Sequence, residues 1–153
     1  MPNISIEPER PDTADARALV AELEAHLAPQ YPPASQHGLS VEQLIQEQVA
    51  FFVLRCDGKP AGCGGIQYFG TEYAELKRFY IRPGFRKNGL GRRLLGYLEE
   101  DARVQGIFLV RLETGILQQD AMHLYEKAGY RSIPAFGPYA PDPLSAFYEK
   151  RLA

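Results

Sequence analysis

Residues 86–91 read Arg-Lys-Asn-Gly-Leu-Gly and stand between a strand-like run and a strongly amphipathic helix. A glycine-bearing turn at that junction aims several backbone N–H groups and a helix N-terminus at one anion. From Lys77 to Arg93 there are seven basic residues (Lys77, Arg78, Arg82, Arg86, Lys87, Arg92 and Arg93) and no acid. The turn therefore predicts a diphosphate site in an α/β domain, and a diphosphate points to a nucleotide-containing cofactor. The competing reading is a solvated basic loop leading into an ordinary helix.

Two other nucleotide motifs are testable. Gly89-x-Gly91-x-x-Leu94 lacks the third glycine of the dinucleotide fingerprint and follows a meander instead of opening a βαβ unit. No Gly-Lys-Ser/Thr occurs, which excludes a P-loop.

The chain has 153 residues, 45% hydrophobic and 24% charged, enough for one domain with a normal core. A net charge of −2 provides no general attraction to nucleic acid or an anionic membrane. The N-terminal Met-Pro-Asn-Ile-Ser carries no leader pattern, and no apolar run approaches the ~20 residues of a membrane span. A cytoplasmic protein is the expectation. Cys56 and Cys63 read as small core hydrophobes; no metal is expected.

Ile4–Glu7 alternates as a strand. A helix follows, with Asp12 as its expected N-cap and Leu19, Val20, Leu23 and Leu27 as its apolar stripe. Residues 28–38 form a proline-rich loop of a length that is often functional. Ser40 with Gln43 reads as a capping box opening a short helix. Residues 49–56, 61–69 and 73–81 read as an antiparallel meander, with Asp57-Gly58 as its first turn. Next come a helix over 89–105, a strand over 108–113, a helix over 118–128, and strands over 130–135 and 145–152 around a second proline-rich loop. The order predicts a mixed α/β single domain spanning 1–153.

These residues resemble the GNAT superfamily of N-acetyltransferases. Its loop, Gln/Arg-x-x-Gly-x-Gly/Ala, is met by Arg86, Gly89 and Gly91. Ala74-Glu-Leu-Lys-Arg-Phe-Tyr-Ile81 is similar to its central strand. Leu112-Glu-Thr-Gly115 with Ala121-Met-His-Leu-Tyr-Glu-Lys-Ala-Gly-Tyr130 is similar to its second block. Two further segments, 32–39 and 134–145, resemble a subgroup of small bacterial GNAT proteins.

The resemblance implies a mostly antiparallel, splayed sheet of six to seven strands flanked by about four helices. It also implies acetyl-CoA as donor. Backbone groups of Phe79, Tyr80 and Ile81 would pair with the pantetheine arm. N–H groups of Arg86, Lys87, Asn88, Gly89, Leu90, Gly91 and Arg92 would hold the pyrophosphate, and Gln118 or Gln119 would line the cofactor. Glu75 matches the family's catalytic glutamate; its rival readings are a partner for Lys77 and an ordered water acting as base. Tyr125 matches the tyrosine that protonates the departing sulfur, against a packing role.

Acceptor candidates are Ser35, His37, Tyr139 and Ser145 on the proline-rich loops. His37 competes with a plain surface reading, and Asp142 with shaping its Asp-Pro turn. His123 reads as helical surface. Arg78 or Arg82 would hold an acceptor carboxylate if the acceptor is an amino acid. The expected reaction is acetyl transfer to a primary amine of a small molecule by direct attack in a ternary complex. The alternatives are a protein or peptide N-acetyltransferase and a CoA-binding sensor without turnover. Relatives of this kind often pair as homodimers.

Overall fold

The computed structural model describes residues 2–153, so Met1 of the N-terminal stretch lies outside the described residues. Seven strands form one sheet: β1 (Ile4–Pro8), β2 (Ala50–Cys56), β3 (Lys59–Phe69), β4 (Tyr73–Ile81), β5 (Leu109–Gly115), β6 (Arg131–Ile133) and β7 (Ser145–Arg151). Their order is β1-β2-β3-β4-β5-β7-β6, antiparallel except for the parallel pair β4 and β5. The α-helices are α1 (Ala14–Leu27), α2 (Val41–Gln46), α3 (Leu90–Val104) and α4 (Gln119–Lys127). This is the mixed α/β domain that the element order predicts, with the mostly antiparallel sheet that the resemblance implies.

The continuous apolarity of β2 has a two-sided cause. Phe52 and Leu54 point to a core with α3 and α4, including Leu94, Leu95, Leu98 and Tyr125. Phe51 and Val53 point to a second core with Leu19, Val20 and Leu23 of α1 and Leu44 of α2. A strand covered on both faces shows no polar alternation. Each fully buried leucine contributes about 1.5–3 kcal/mol relative to exposure, so these faces anchor the helices to the sheet.

Local signals hold closely. Ser40 and Gln43 form both halves of the capping box. Asp57 and Gly58 both take positive φ, the hairpin turn that suits two twisted strands. Three expectations change. Thr13, not Asp12, caps α1: its hydroxyl accepts from Ala16 N, while Asp12 pairs with Arg10. The 28–38 loop contains two short 3₁₀ turns, Ala28–Gln30 and Pro33–Ser35, each with a proline in its first two positions. The strand expected over 130–135 shortens to β6, because Pro134 cannot donate to the ladder.

Candidate active site

The sheet opens between β4 and β5. They pair only at Ala74↔Val110 and Glu75↔Arg111, so β4 beyond Glu75 has no partner strand on that side. On its other side, Lys77 pairs with Gly65 and Tyr80 with Cys63, leaving Arg78 and Phe79 opposite the single residue Gly64. Arg78 takes φ +51° at this bulge. A bulge increases twist and turns a strand away from its neighbour, and the backbone it frees needs other partners. Leu76–Ile81 line a cleft of about 740 Å³ as a result.

The 86–91 turn closes one end of that cleft. Arg86 folds back, its Nε donating to Ile81 O (2.8 Å) and its guanidinium lying 5.9 Å from the Tyr80 ring centroid. Lys87 and Gly89 both have positive φ, and Gly89 is the N-cap of α3. Gly91 is needed for a different reason: a Cβ there would stand 3.1 Å from Leu124 Cδ2, where α3 meets α4. Leu90, buried at 5% exposure, seats the helix start in the core. Arg86, Lys87, Gly89, Leu90, Gly91 and Arg92 line the cleft, whereas Asn88 is exposed outside that lining. The arrangement can hold an oxyanion on backbone N–H groups at the positive end of α3. Arg78 and Arg82 do not add to this field, since each is paired with a glutamate of α1.

The other end of the cleft is acidic and aromatic. Residues two apart share a strand face, so Glu75 and Lys77 of β4 lie beside Arg111 and Glu113 of β5. Glu75 is 1% exposed, and its Oε2 receives Lys77 Nζ (2.8 Å) and Tyr139 Oη (2.5 Å). Lys77 also reaches Tyr139 Oη at 3.1 Å. Burial pushes the Tyr139 hydroxyl well above the usual phenol range, reinforced by Glu75. The Glu113 carboxyl is also raised, chiefly by burial and further by Glu75, against the opposing pull of Ser145, His37 and Lys77. Tyr125 of α4, 5% exposed, packs among Phe79, Tyr130 and Tyr148. Its hydroxyl makes no hydrogen bond among the described residues, and burial raises its pKa.

Two loops roof this end. Tyr31 Oη accepts from Leu117 N (3.1 Å) and Gln118 Nε2 (3.1 Å), tying the 28–39 segment across to the β5–α4 turn. Gly115 makes room, because a Cβ there would fall 2.0 Å from that hydroxyl oxygen. Tyr139 anchors the second loop through Phe136 and Phe147. The loops meet where His37 Nε2 stands 3.7 Å from Asp142 Oδ2 and the His37 ring lies edge-on to Tyr139.

Glu75, Tyr125, Phe79, Tyr80, Ile81, Gln118, Ser35, His37 and Tyr139 therefore all line one cleft. His37 is half-buried, so the surface reading does not hold. Asp142 shapes its turn, accepting from Leu144 N (2.9 Å). That bond holds its carboxyl below the usual range, with Ser35 adding to the effect. Gln118 spends its amide on Tyr31 and Gln30. Ser145 lies outside the lining, opposite Gly115 on β7, with its Oγ buried near Glu113. Arg78 and Arg82, the pair expected to hold an acceptor carboxylate, are both taken. Sequence reasoning missed Glu113 and Tyr31. The polar alternation of Arg111 and Glu113 between buried Val110 and Leu112 is a signal for the first; nothing local marks Tyr31.

Known proteins share this frame. Residues 19–130 match the family model described as the acetyltransferase (GNAT) family. The chain is 41% identical over 154 residues to the IAA acetyltransferase of Azospirillum brasilense, covering 99% of this chain and 100% of that one. It is 30% identical to the uncharacterized N-acetyltransferase YsnE of Bacillus subtilis over 79% of this chain and 82% of that one. A crystal structure from Klebsiella pneumoniae, assigned to the acyl-CoA N-acyltransferases, superposes with TM-score 0.83 at 37% identity, covering 98% of both chains. A GNAT family acetyltransferase from Elizabethkingia anophelis, solved with acetyl-CoA bound, gives TM-score 0.72 at 18% identity over 98% of this chain and 99% of that one; this is a likeness of fold. Among the described residues no His, Cys, Asp or Glu cluster suits a metal, and no helix is long and apolar enough to cross a membrane.

Proposed function

The chain belongs to the GNAT family of acetyltransferases, and from that premise we propose that it transfers the acetyl group of acetyl-CoA to a primary amine of a small molecule. The observation that carries this reading is the single cleft that joins the 86–91 turn to Glu75, Glu113 and Tyr125 across the opened sheet. Bound there, acetyl-CoA supplies an activated thioester. The unpaired edge of β4 at Phe79, Tyr80 and Ile81 suits the pantetheine amides, and the turn from Arg86 to Arg92 suits the pyrophosphate.

An alkyl amine is mostly protonated at neutral pH, with a pKa near ~10. A base must therefore take a proton before nitrogen attacks. We assign this to Glu113, which forms no ion pair among the described residues and whose proton affinity is raised by burial. Glu75 has its Oε2 engaged by two partners and holds Lys77 and Tyr139 in place. The ammonium gives one proton to Glu113, the nitrogen bonds the acetyl carbon, and the C–S bond breaks. Tyr125 hands the sulfur a proton, which the second nitrogen proton balances. Tyr125 suits the task because its hydroxyl is neutral and uncommitted. A backbone N–H of Tyr80 or Ile81 on the opened edge serves the carbonyl oxygen.

The thiols favour direct attack in a ternary complex, since neither Cys56 nor Cys63 lines the cleft. Cys63 is sealed in the α1–α2 core, its thiol pushed up to about 12 by burial, so it carries no thiolate at neutral pH. The two tied loops leave a roofed acceptor space, which favours a small molecule over a protein chain. The name of the Azospirillum brasilense relative adds IAA as a second acceptor to assay. Calorimetric titration with acetyl-CoA, followed by thiol release across an amine library, tests the reading. Saturable binding and release with small amines are expected. No binding at millimolar acetyl-CoA, or release with peptides alone, would overturn it.

A further inference from the structure

The acceptor half of the cleft is unevenly supplied with charge. Its cations are already matched. Lys77 sits 2.8 Å from Glu75 Oε2. Arg78, its side chain 5% exposed, gives Nη2 to Glu24 (2.6 Å) and Nε to Leu39 O (2.8 Å). Arg82 grips Glu22 through Nε and Nη2 and lies outside the lining. A guanidinium or ammonium held this way has little attraction left for a second carboxylate, and extracting it would strand a buried charge. Glu113 has the opposite status: it lines the cleft and has no ion-pair partner among the described residues.

The hydrogen-bonding groups are equally one-sided. Tyr139 donates its single proton to Glu75, so toward a ligand it only accepts. His37 faces a carboxylate of its own, with Nε2 3.7 Å from Asp142 Oδ2, so it too is matched. The Glu113 carboxylate and the Tyr139 phenol oxygen both receive protons. They complement a group rich in N–H donors and oppose an anion.

We propose that the acceptor is a cationic primary amine without a carboxylate: an alkylamine, arylalkylamine or diamine, and not an amino acid. The proposal rests on the acetyl-transfer reading above and narrows it. The ammonium lies between Glu113 and Tyr139, and the aromatic rings of Tyr31 and Tyr139 flank its carbon frame. An α-carboxylate brought to the same place meets Glu113 and finds no uncommitted cation.

The test uses pairs that differ by one carboxylate: tyramine and tyrosine, histamine and histidine, cadaverine and lysine, agmatine and arginine. Thiol release and product mass are measured with the full chain and acetyl-CoA. The amine member is expected to exceed its amino acid by roughly tenfold or more in kcat/KM, the scale of a like-charge clash in a sheltered site. Parity, preference for the amino acids, transfer to IAA alone, or silence of all four amines while acetyl-CoA binds would overturn the proposal. Failure of acetyl-CoA to bind would remove the acetyl-transfer reading itself. Glu75→Gln supplies the second arm. It frees Lys77 from its carboxylate, so the preference for amines should shrink severalfold; a preference that persists unchanged in the folded variant overturns the charge argument.

Discussion

The hydroxyl of Tyr139 donates to Glu75 Oε2 at 2.5 Å, joining a loop to the central strand across 64 positions of sequence. Lys77 Nζ completes a three-membered network at 2.8 Å from the carboxylate and 3.1 Å from the phenol. A carboxylate held by a cation and a phenol is fixed in direction. The second proline-rich loop is thereby pinned over this end of the cleft, and the nearby Glu113 is left without an ion-pair partner among the described residues.

Tyr139→Phe removes one donor from a buried carboxylate. A stability loss of about 1–3 kcal/mol is expected, the cost of an unmet buried polar group. Acceptor KM should rise while the acetyl-CoA Kd holds. Thermal melts, calorimetry and steady-state kinetics check this; a weakened cofactor with unchanged acceptor KM would place Tyr139 elsewhere in the mechanism.

Glu113 sets a pH dependence. It accepts a proton only when ionised, so kcat/KM should fall with falling pH along a limb displaced above the ordinary carboxylate range, since its pKa is raised. Stability moves the other way. The folded state holds this proton more tightly than the unfolded chain, so stability declines as pH rises from the ordinary carboxylate value through the raised one. Glu113→Gln should abolish the limb, flatten that decline and lower turnover by about 10²–10⁴-fold. A pH–rate profile that keeps its limb in the variant assigns the base role to another group.

Tyr125→Phe keeps the ring packing on Phe79, Tyr130 and Tyr148 and deletes only the hydroxyl. Turnover should drop about 10²-fold or more, with little change in acetyl-CoA affinity or melting temperature. Unchanged turnover leaves Tyr125 as a packing residue.

The roof over the cleft depends on Tyr31. Tyr31→Phe leaves Leu117 N and Gln118 Nε2 without their acceptor and should loosen residues 28–39. Faster amide exchange in that segment and a higher acceptor KM are expected. Gly115→Ala should act more strongly, because its Cβ would fall 2.0 Å from the Tyr31 hydroxyl oxygen and force the loop away. Equal, negligible effects of both changes would mean the tie does not hold the loop.

The two glycines of the turn separate by cause. Gly89 has φ +76° and open space around its Cβ position, so Gly89→Ala costs about 1 kcal/mol of backbone strain and misaims the N–H groups. Gly91→Ala leaves φ unstrained but presses on Leu124 at 3.1 Å. Acetyl-CoA affinity should fall in both, with α4 disturbed only in the second. Calorimetry together with amide exchange over 119–127 distinguishes them.

Much of this molecule was legible along the chain. The alternation in β1, the continuous apolar run of β2, period 3.6 in α3, the Ser40–Gln43 box and the Asp57-Gly58 turn are short-range effects, set within a few residues. The 86–91 turn is equally local, since φ at Gly89 and the start of α3 follow from adjacent residues. Even Thr13 for Asp12 is a shift of one position between two competent caps.

The acceptor end was not legible in this way, because its chemistry depends on pairings between distant segments. Glu75 and Glu113 are both glutamates at strand positions; the Lys77 and Tyr139 contacts engage the first and leave the second unpaired. Arg78 and Arg82 read as free cations until α1 presents Glu24 and Glu22 to them. Local propensity and motif spacing thus determined the elements, the anion turn and the family of this protein. Only tertiary packing decided which charges remain unpaired in the cleft, since a charge acts on a ligand according to the partners and burial that the whole fold imposes on it.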